Sequence, residues 1–390
     1  MYRTVALVKN NRIKQILVLG TLILGVHKNV LCKSIPPMEN SMKISHFEIK
    51  TGGKPFLVAE LSGNHDGSLE RAKKIIELVA ASGFDALKLQ TYTADTMTLD
   101  VSTGPFFISD PTSLWAGSSL YKLYQRASTP WEWHKKLFDY AKSFGLIAFS
   151  TPFDESAVDF LETLDVPCYK IASFEITHLP LIKKAAQTGK PLIISTGMAT
   201  LDEIDRAVKT AKEAGNKELM LLKCTSAYPA KNQDLNLITI TDLQQRYGCP
   251  VGFSDHTPDS LAAALSVVLG AGMIEKHVTL EVGDAGVDAA FSLSRENCKL
   301  FVEQVHAAHE AMGSIFYGPM EAEKPSLVYR RAVHIVRPIK AGEIINEKDL
   351  TIVRPAVGLA PDQYGKVVGK KATQDLFPGM ALSLTHVALD

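Results

Sequence analysis

Eight short apolar runs recur along the chain, and each ends in polar residues able to do chemistry. They read FLVAEL (56–61), ALKLQ (86–90), IAFSTP (147–152), CYKIAS (168–173), LIISTG (192–197), LMLLKCTS (219–226), VGFSDH (251–256) and IEKHVT (274–279). Stretches with helical periodicity, such as Leu69–Ala81 and Leu201–Ala214, lie between most of them. Strands alternating with helices make βα units and a parallel sheet. Eight such units predict an α/β fold of the closed (β/α)8 TIM-barrel type, whose active site lies where the strands end. At those ends stand Glu60, Lys88, Gln90, Thr151, Lys170, Ser173, Ser195, Lys223, His256 and His277.

The rhythm breaks in three places. Residues 91–146 separate the second and third runs by about twice the usual interval, with Gly104-Pro105, Asp110-Pro111 and Ala116-Gly117 as turn signals. Long insertions at strand C-terminal ends are usually functional loops. The alternative is that Trp115, Tyr121, Tyr124, Trp131 and Trp133 simply pack the insert onto the barrel. After a helix near Glu296–Met312, Gly313–Ser326 reads as a connector. From Arg330 the texture turns to short strand-like runs and turns, enough for one small β-rich module. At the other end, an apolar run Ile16–Val26 follows Arg3, Lys9, Arg12 and Lys14. It is too short for a membrane span and lacks a small-x-small cleavage site. Folded-domain patterning begins at Met42. The expected division is an N-terminal extension at 1–41, a catalytic barrel at 42–318, a linker at 319–329 and the β-rich domain at 330–390. The extension is read as contributing nothing to the fold, with a targeting segment or an ordered arm as alternatives.

Composition adds exclusions. The 390 residues are 46% hydrophobic and 22% charged, with 42 basic and 42 acidic side chains. That balance gives no global pull toward nucleic acid or a membrane surface. Five scattered cysteines without a CxxC pair suit a reducing cytoplasm better than a disulfide framework.

The chemistry-bearing residues fall into three groups. His256 and His277 end neighbouring strands and suit a divalent metal with open positions for water or substrate; satisfied structural histidines are the plainer alternative. Asp255 and Glu275 are nearby alternatives or supporting partners. Lys88, Lys170, Thr151, Ser173 and Ser195 converge on the mouth, and Ser195-Thr196-Gly197 offers backbone N–H groups, a combination suited to phosphate or carboxylate. Lys170 is alternatively a Schiff-base lysine, or a structural ion pair with Glu175. Glu60, Glu175 and Asp288 are candidate acids, bases or sugar anchors.

Taken together, AELSGNHDGS (59–68), LKLQTYT (87–93), FSTPFD (149–154), YKIASFE (169–175), STGMAT (195–200), CTSAYP (224–229), GFSDHT (252–257) and EKHVT (275–279) resemble the sialic acid synthase family. That family condenses phosphoenolpyruvate with an amino-sugar to make nine-carbon 2-keto acids. The tail, with IKAGE (339–343) and Arg354-Pro355, is similar to its antifreeze-like (SAF) domain. The resemblance covers roughly 43–390. It implies a divalent metal, Mn²⁺ or Mg²⁺, on His256 and His277. It implies phosphoenolpyruvate binding by Lys88, Thr151, Lys170, Ser173, Ser195 and Ser254. Catalytic roles fall to Glu60, Gln90 and Glu175, and sugar binding to Tyr228, Asp288 and Arg354. It also implies a domain-swapped homodimer in which Arg354 reaches the partner's site, and a cytoplasmic location without nucleic-acid or membrane partners. Ser226 stands where neuraminate synthases have Asn. The runs QTYTADTMTLD (90–100) and TPWEWH (129–134) look most like the pseudaminic acid branch, whose sugar is 2,4-diacetamido-2,4,6-trideoxy-L-altrose. Ala356 and Val357 depart from that branch's usual Gly and aromatic. Neuraminate or legionaminate synthesis is the alternative, and a non-catalytic sugar-binding barrel the remote one.

Overall fold

The computed structural model describes residues 41–388 except 282 and 285. The predicted extension therefore lies outside the described residues, apart from Ser41. The described chain divides at Gly313 into two compact units.

The first unit opens with a hairpin, β1 (Ser41–Ile44) and β2 (Phe47–Lys50), paired antiparallel. Eight parallel strands follow: β3 (Phe56–Glu60), β4 (Ala86–Thr91), β5 (Ile147–Pro152), β6 (Tyr169–Ile171), β7 (Leu192–Ser195), β8 (Leu219–Cys224), β9 (Val251–Asp255) and β10 (Met273–His277). They close into a barrel in sequential order, with β10 returning to β3. The expected helices are present as Leu69–Ser82, Leu201–Glu213 and Arg295–Met312. The first is capped by the Ser68 side chain and ended by left-handed Gly83; the second starts with a Thr200–Glu203 capping box.

Alternation along the strands decides what each residue faces. Leu57, Ala59, Leu87, Leu89, Leu221 and Phe253 point outward and build the apolar layer under the helices. Phe56, Val58, Ala86, Ile147, Phe149, Cys168, Ile193, Met220, Leu222 and Met273 point inward and fill the lower barrel. Met42, Ile44 and Ile49 of the hairpin join that inner cluster and plug its base. A side chain at Gly272 would lie 2.6 Å from the Lys50 carbonyl, so the plug depends on glycine there. Continuing inward at the strand C-terminal ends, the same parity delivers Glu60, Lys88, Gln90, Thr151, Lys170, Ser195, Cys224, Ser254, Glu275 and His277. An apolar base thus gives way to a polar top layer within each strand.

The long insert is ordered. It holds the short helix Ala94–Met97, a Phe107–Ser119 bridge closing a small hairpin, and the helix Leu120–Ala127 capped by Ser119. The barrel helix Trp131–Ser143 then resumes the βα rhythm.

The second unit pairs β11 (Ala332–Ile335) with β12 (Leu350–Val353) antiparallel, around an apolar core of Val333, Ile339, Ile345, Val367, Leu376 and Leu382. The segment expected as a plain linker contains a 3-10 run at Glu321–Tyr329.

Candidate active site

The barrel's C-terminal end opens into a cavity of about 950 Å³. Lys88, Gln90, Thr151, Lys170, Ser173, Glu175, Ser195, Tyr228, Ser254, His256, His277 and Asp288 line it together. Glu60 lies just beneath, fully buried and ion-paired to Lys88.

Strand register explains the central charge cluster. Glu60 on β3 is level with Lys88 on β4 and with His277 on β10, and Glu275 is level with Ser254 on β9. Lys170 lies 3.3 Å from Glu275 Oε1, which also accepts the Ser254 hydroxyl at 3.1 Å. Lys88 donates to Thr151 Oγ1 at 3.0 Å and lies 3.8 Å from Glu275. The four charged residues are at most 4% exposed, and such burial is tolerable only because each has an opposite partner. Burial pushes the Glu60 carboxyl up to about 6 against the pull of Lys88. Burial works the same way on Glu275, but Lys170 and Lys88 outweigh it and hold that carboxyl below its ordinary value. Burial lowers Lys170, although Glu275 opposes the shift. Burial also lifts Glu175 to about 7.

Five buried polar atoms on residues lining the cavity have no hydrogen-bond partner among the described residues: Asp154 Oδ2, Glu175 Oε2, Ser195 Oγ, Glu275 Oε2 and His277 Nδ1. Buried groups of this kind normally find partners, so they mark where a polar ligand fits. The His256 and His277 rings are 5.4 Å apart between centroids, flanked by Tyr228 and Phe291. His256 Nδ1 lies 3.0 Å from the Thr225 carbonyl, an arrangement that fixes the ring and leaves Nε2 for a ligand. Burial, reinforced by His256, keeps His277 neutral, with its pKa well below the ordinary value. No group of three metal-ligating side chains occurs among the described residues. The two imidazoles could hold a divalent ion, with remaining positions left to water and substrate.

Several expectations need correction. Lys223 and Asp255 have outward parity. Lys223 donates to the Cys224 carbonyl at 2.7 Å, and Asp255 is fully buried against Lys276 at 2.8 Å, away from the cavity. The ion-pair partner of Lys170 is Glu275 rather than Glu175. The backbone N–H groups of Thr196 and Gly197 are already used, by the Leu222 carbonyl at 2.9 Å and by Ser173 Oγ at 3.0 Å. The next helix begins only at Leu201, so no phosphate-binding helix start stands there. Arg354 belongs to the second unit and is exposed within it.

The sequence reading undervalued Glu275 and missed Ile108, Leu120, Leu123, Cys224 and Phe291 on the cavity wall. Counting parity from Lys88 along each strand would have selected Glu275 and Cys224 and rejected Lys223 and Asp255. Of the insert aromatics, Trp115 and Tyr124 line the cavity. Tyr121 bonds Asp95, Trp131 stacks on Phe160, and Trp133 meets His65 edge-on.

With this geometry in place, comparison with known proteins decides the lineage. The NeuB family profile matches residues 75–317, and the SAF domain profile matches 330–388. The chain belongs to the NeuB family. A pseudaminic acid synthase of Campylobacter jejuni subsp. jejuni (strain 81-176) is 40% identical over 87% of this chain and 98% of that protein. One of Helicobacter pylori is 42% identical over 85% and 98%. Among solved structures, an N-acetylneuraminic acid synthetase of Leptospira borgpetersenii in complex with citrate superposes with a TM-score of 0.66. It is 27% identical and covers 75% of this chain and 96% of that one. The NeuB-family barrel and SAF domain thus agree with the two units described above.

Proposed function

We propose that this chain condenses phosphoenolpyruvate with 2,4-diacetamido-2,4,6-trideoxy-L-altrose and water, giving pseudaminic acid and phosphate. It is an enzyme of the transferase class. The observation that carries the sugar assignment is the 40% and 42% identity, over nearly the whole of each relative, to proteins that make this product. The site supports it with paired cations for an anionic substrate and three carboxyls raised by burial, Glu60, Glu175 and Asp288.

In this reading phosphoenolpyruvate lies over the floor cluster. Lys88 and Lys170 balance its phosphate and carboxylate, and Thr151, Ser173, Ser195 and Ser254 bond its oxygens. The enol carbon attacks the sugar aldehyde carbon. Water captures the positive charge that develops at the former enol C2, and the adduct expels phosphate by C–O cleavage. Glu60 and Glu175, both raised by burial, would move the protons of these steps, with Gln90 orienting the reactants. Tyr228 and Asp288 hold the sugar. His256 and His277 would hold a divalent ion, Mn²⁺ in preference to Mg²⁺. Bound there, it supplies a Lewis acid for the aldehyde oxygen. Arg354 of a partner chain would complete the sugar site in a homodimer. The four free, buried cysteines among the described residues suit a reducing, cytoplasmic setting.

The deciding experiment measures phosphate release with this sugar, its legionaminate-type isomer and N-acetylmannosamine, and weighs the product by mass spectrometry. The altrose sugar should give the highest kcat/KM; a higher value with N-acetylmannosamine rejects the assignment. The lowered pKa of Lys170 also favours a second reading, imine chemistry. Borohydride trapping with pyruvate should leave Lys170 unlabelled, because C–O cleavage needs no imine.

A further inference from the structure

Asp288 leaves the barrel on the segment after β10; its carboxyl is bonded directly by the Ser62 side chain and the Gly63 backbone, and the backbone around it is held by contacts from Asn64 and from the insert. Asn64 Nδ2 donates to the Val278 carbonyl and to Ser292 Oγ, both at 2.8 Å. Ser292 Oγ in turn donates to the Asp288 carbonyl at 2.6 Å. Gly286 sits so close to Asn64 that a side chain there would lie 2.6 Å from Asn64 Oδ1. From the insert, Trp115 Nε1 donates to the Val287 carbonyl at 2.9 Å. Trp115 rides the small hairpin closed by Phe107 and Ser119, where Ile108 N bonds the Ser118 carbonyl and Gly117 N the Ile108 carbonyl, each at 2.9 Å. Its ring also stands 6.2 Å from Tyr228. Insert and segment are 172 residues apart in sequence, so this bond is a choice of the tertiary fold.

We propose that Trp115 is a positioning residue for the sugar: its indole N–H fastens the insert to the Val287 carbonyl and thereby fixes the adjacent Asp288 carboxylate at the cavity. This rests on the sugar-binding role given to Asp288 above. Trp115 acts through Asp288, and its effect belongs to sugar affinity rather than to the phosphoenolpyruvate half of the site, whose residues it does not bond.

The test is steady-state kinetics on the full chain with Mn²⁺, comparing W115F, D288N and the double variant. Phe keeps an aromatic ring and removes the donor, together with the five-membered half of the indole. Loss of one part-buried hydrogen bond should raise sugar KM about fivefold. The KM for phosphoenolpyruvate should stay within about twofold, and W115F should add less than about twofold in the D288N background, because coupled neighbours are not additive. Amide exchange of the peptide spanning 286–293, followed by mass spectrometry without ligands, should quicken in W115F. If W115F is insoluble, W115L serves the same comparison. An unchanged sugar KM, or an equal fold-change in both backgrounds, overturns the proposal. D288N with unchanged sugar KM removes the assigned role of Asp288, and the Trp115 proposal falls with it. Turnover of a different acetamido sugar would instead reject only the substrate reading, and the same variants are then scored with the sugar accepted.

Discussion

The floor of the cavity and its rim are built by different means. Floor residues ride on strands, so parity and register place them, and buried ion pairs tie Glu60, Lys88, Lys170 and Glu275 into one unit. The part of the rim formed by the insert and the segment after β10 is held by long-range contacts such as Trp115 to the Val287 carbonyl. Its inner surface is largely apolar, with Ile108, Leu120 and Leu123 facing the cavity. A strand-borne cluster cannot change one member without stranding another, whereas a loop-borne wall exchanges side chains at small cost. That division suits an enzyme whose phosphoenolpyruvate chemistry is common to a family and whose sugar differs among members.

The comparison can be broken hardest at Glu275. Replacing it with Ala leaves Lys170 buried without its carboxylate. We expect about 3–5 kcal/mol of lost unfolding free energy in urea titrations, and turnover near background. A stable, active E275A would show that the floor is not one unit. Next in size is the imidazole pair. Chelation should abolish phosphate release and Mn²⁺ should restore it, and H256A or H277A should each cost at least about 10–100-fold, the range of weaker supporting changes. Full activity in chelated buffer would remove the metal from the site.

The rim should respond more mildly and more selectively. L123S should lower the preference for the 6-deoxy sugar over its 6-hydroxy counterpart by roughly tenfold in kcat/KM, the worth of about one methyl contact, with phosphoenolpyruvate KM little changed. Loss of both substrates together would erase the distinction between floor and rim.

Glu175, beside the floor, offers a pH test. Burial raises its folded pKa to about 7 from an ordinary 4.5, so the neutral form is favoured in the native state. The stability this contributes is full below the unfolded value and is lost as pH rises through about 7. E175Q should therefore gain on the parent chain in thermal stability between about pH 4.5 and 7, with a plateau above. A difference that does not vary with pH would mean that Glu175 titrates normally. The smallest effect is expected at the other end of the barrel. A chain starting at Met42 keeps Met42, Ile44 and Ile49 in the basal plug. Its activity and melting temperature should match the full chain; a large loss of either would give residues 1–41 a role.

Much of this protein was legible in its sequence because the barrel is a local code. An apolar run of fixed length, a polar terminus and an amphipathic helix each report on near neighbours, so eight repeats announced both the fold and the end that carries Lys88, Lys170, His256 and His277. Matching segments then pointed to the family. Tertiary structure alone decided which groups meet. Lys170 took Glu275, 105 residues away, rather than the nearby Glu175, because closure of β10 onto β3 brings Glu275 into the same inner layer. The amides of Thr196 and Gly197 looked free in sequence but are used by the Leu222 carbonyl and the Ser173 hydroxyl from neighbouring βα units. The insert's wall and the Trp115–Val287 bond have no periodic signature, since loop contacts follow from three-dimensional proximity and not from spacing along the chain.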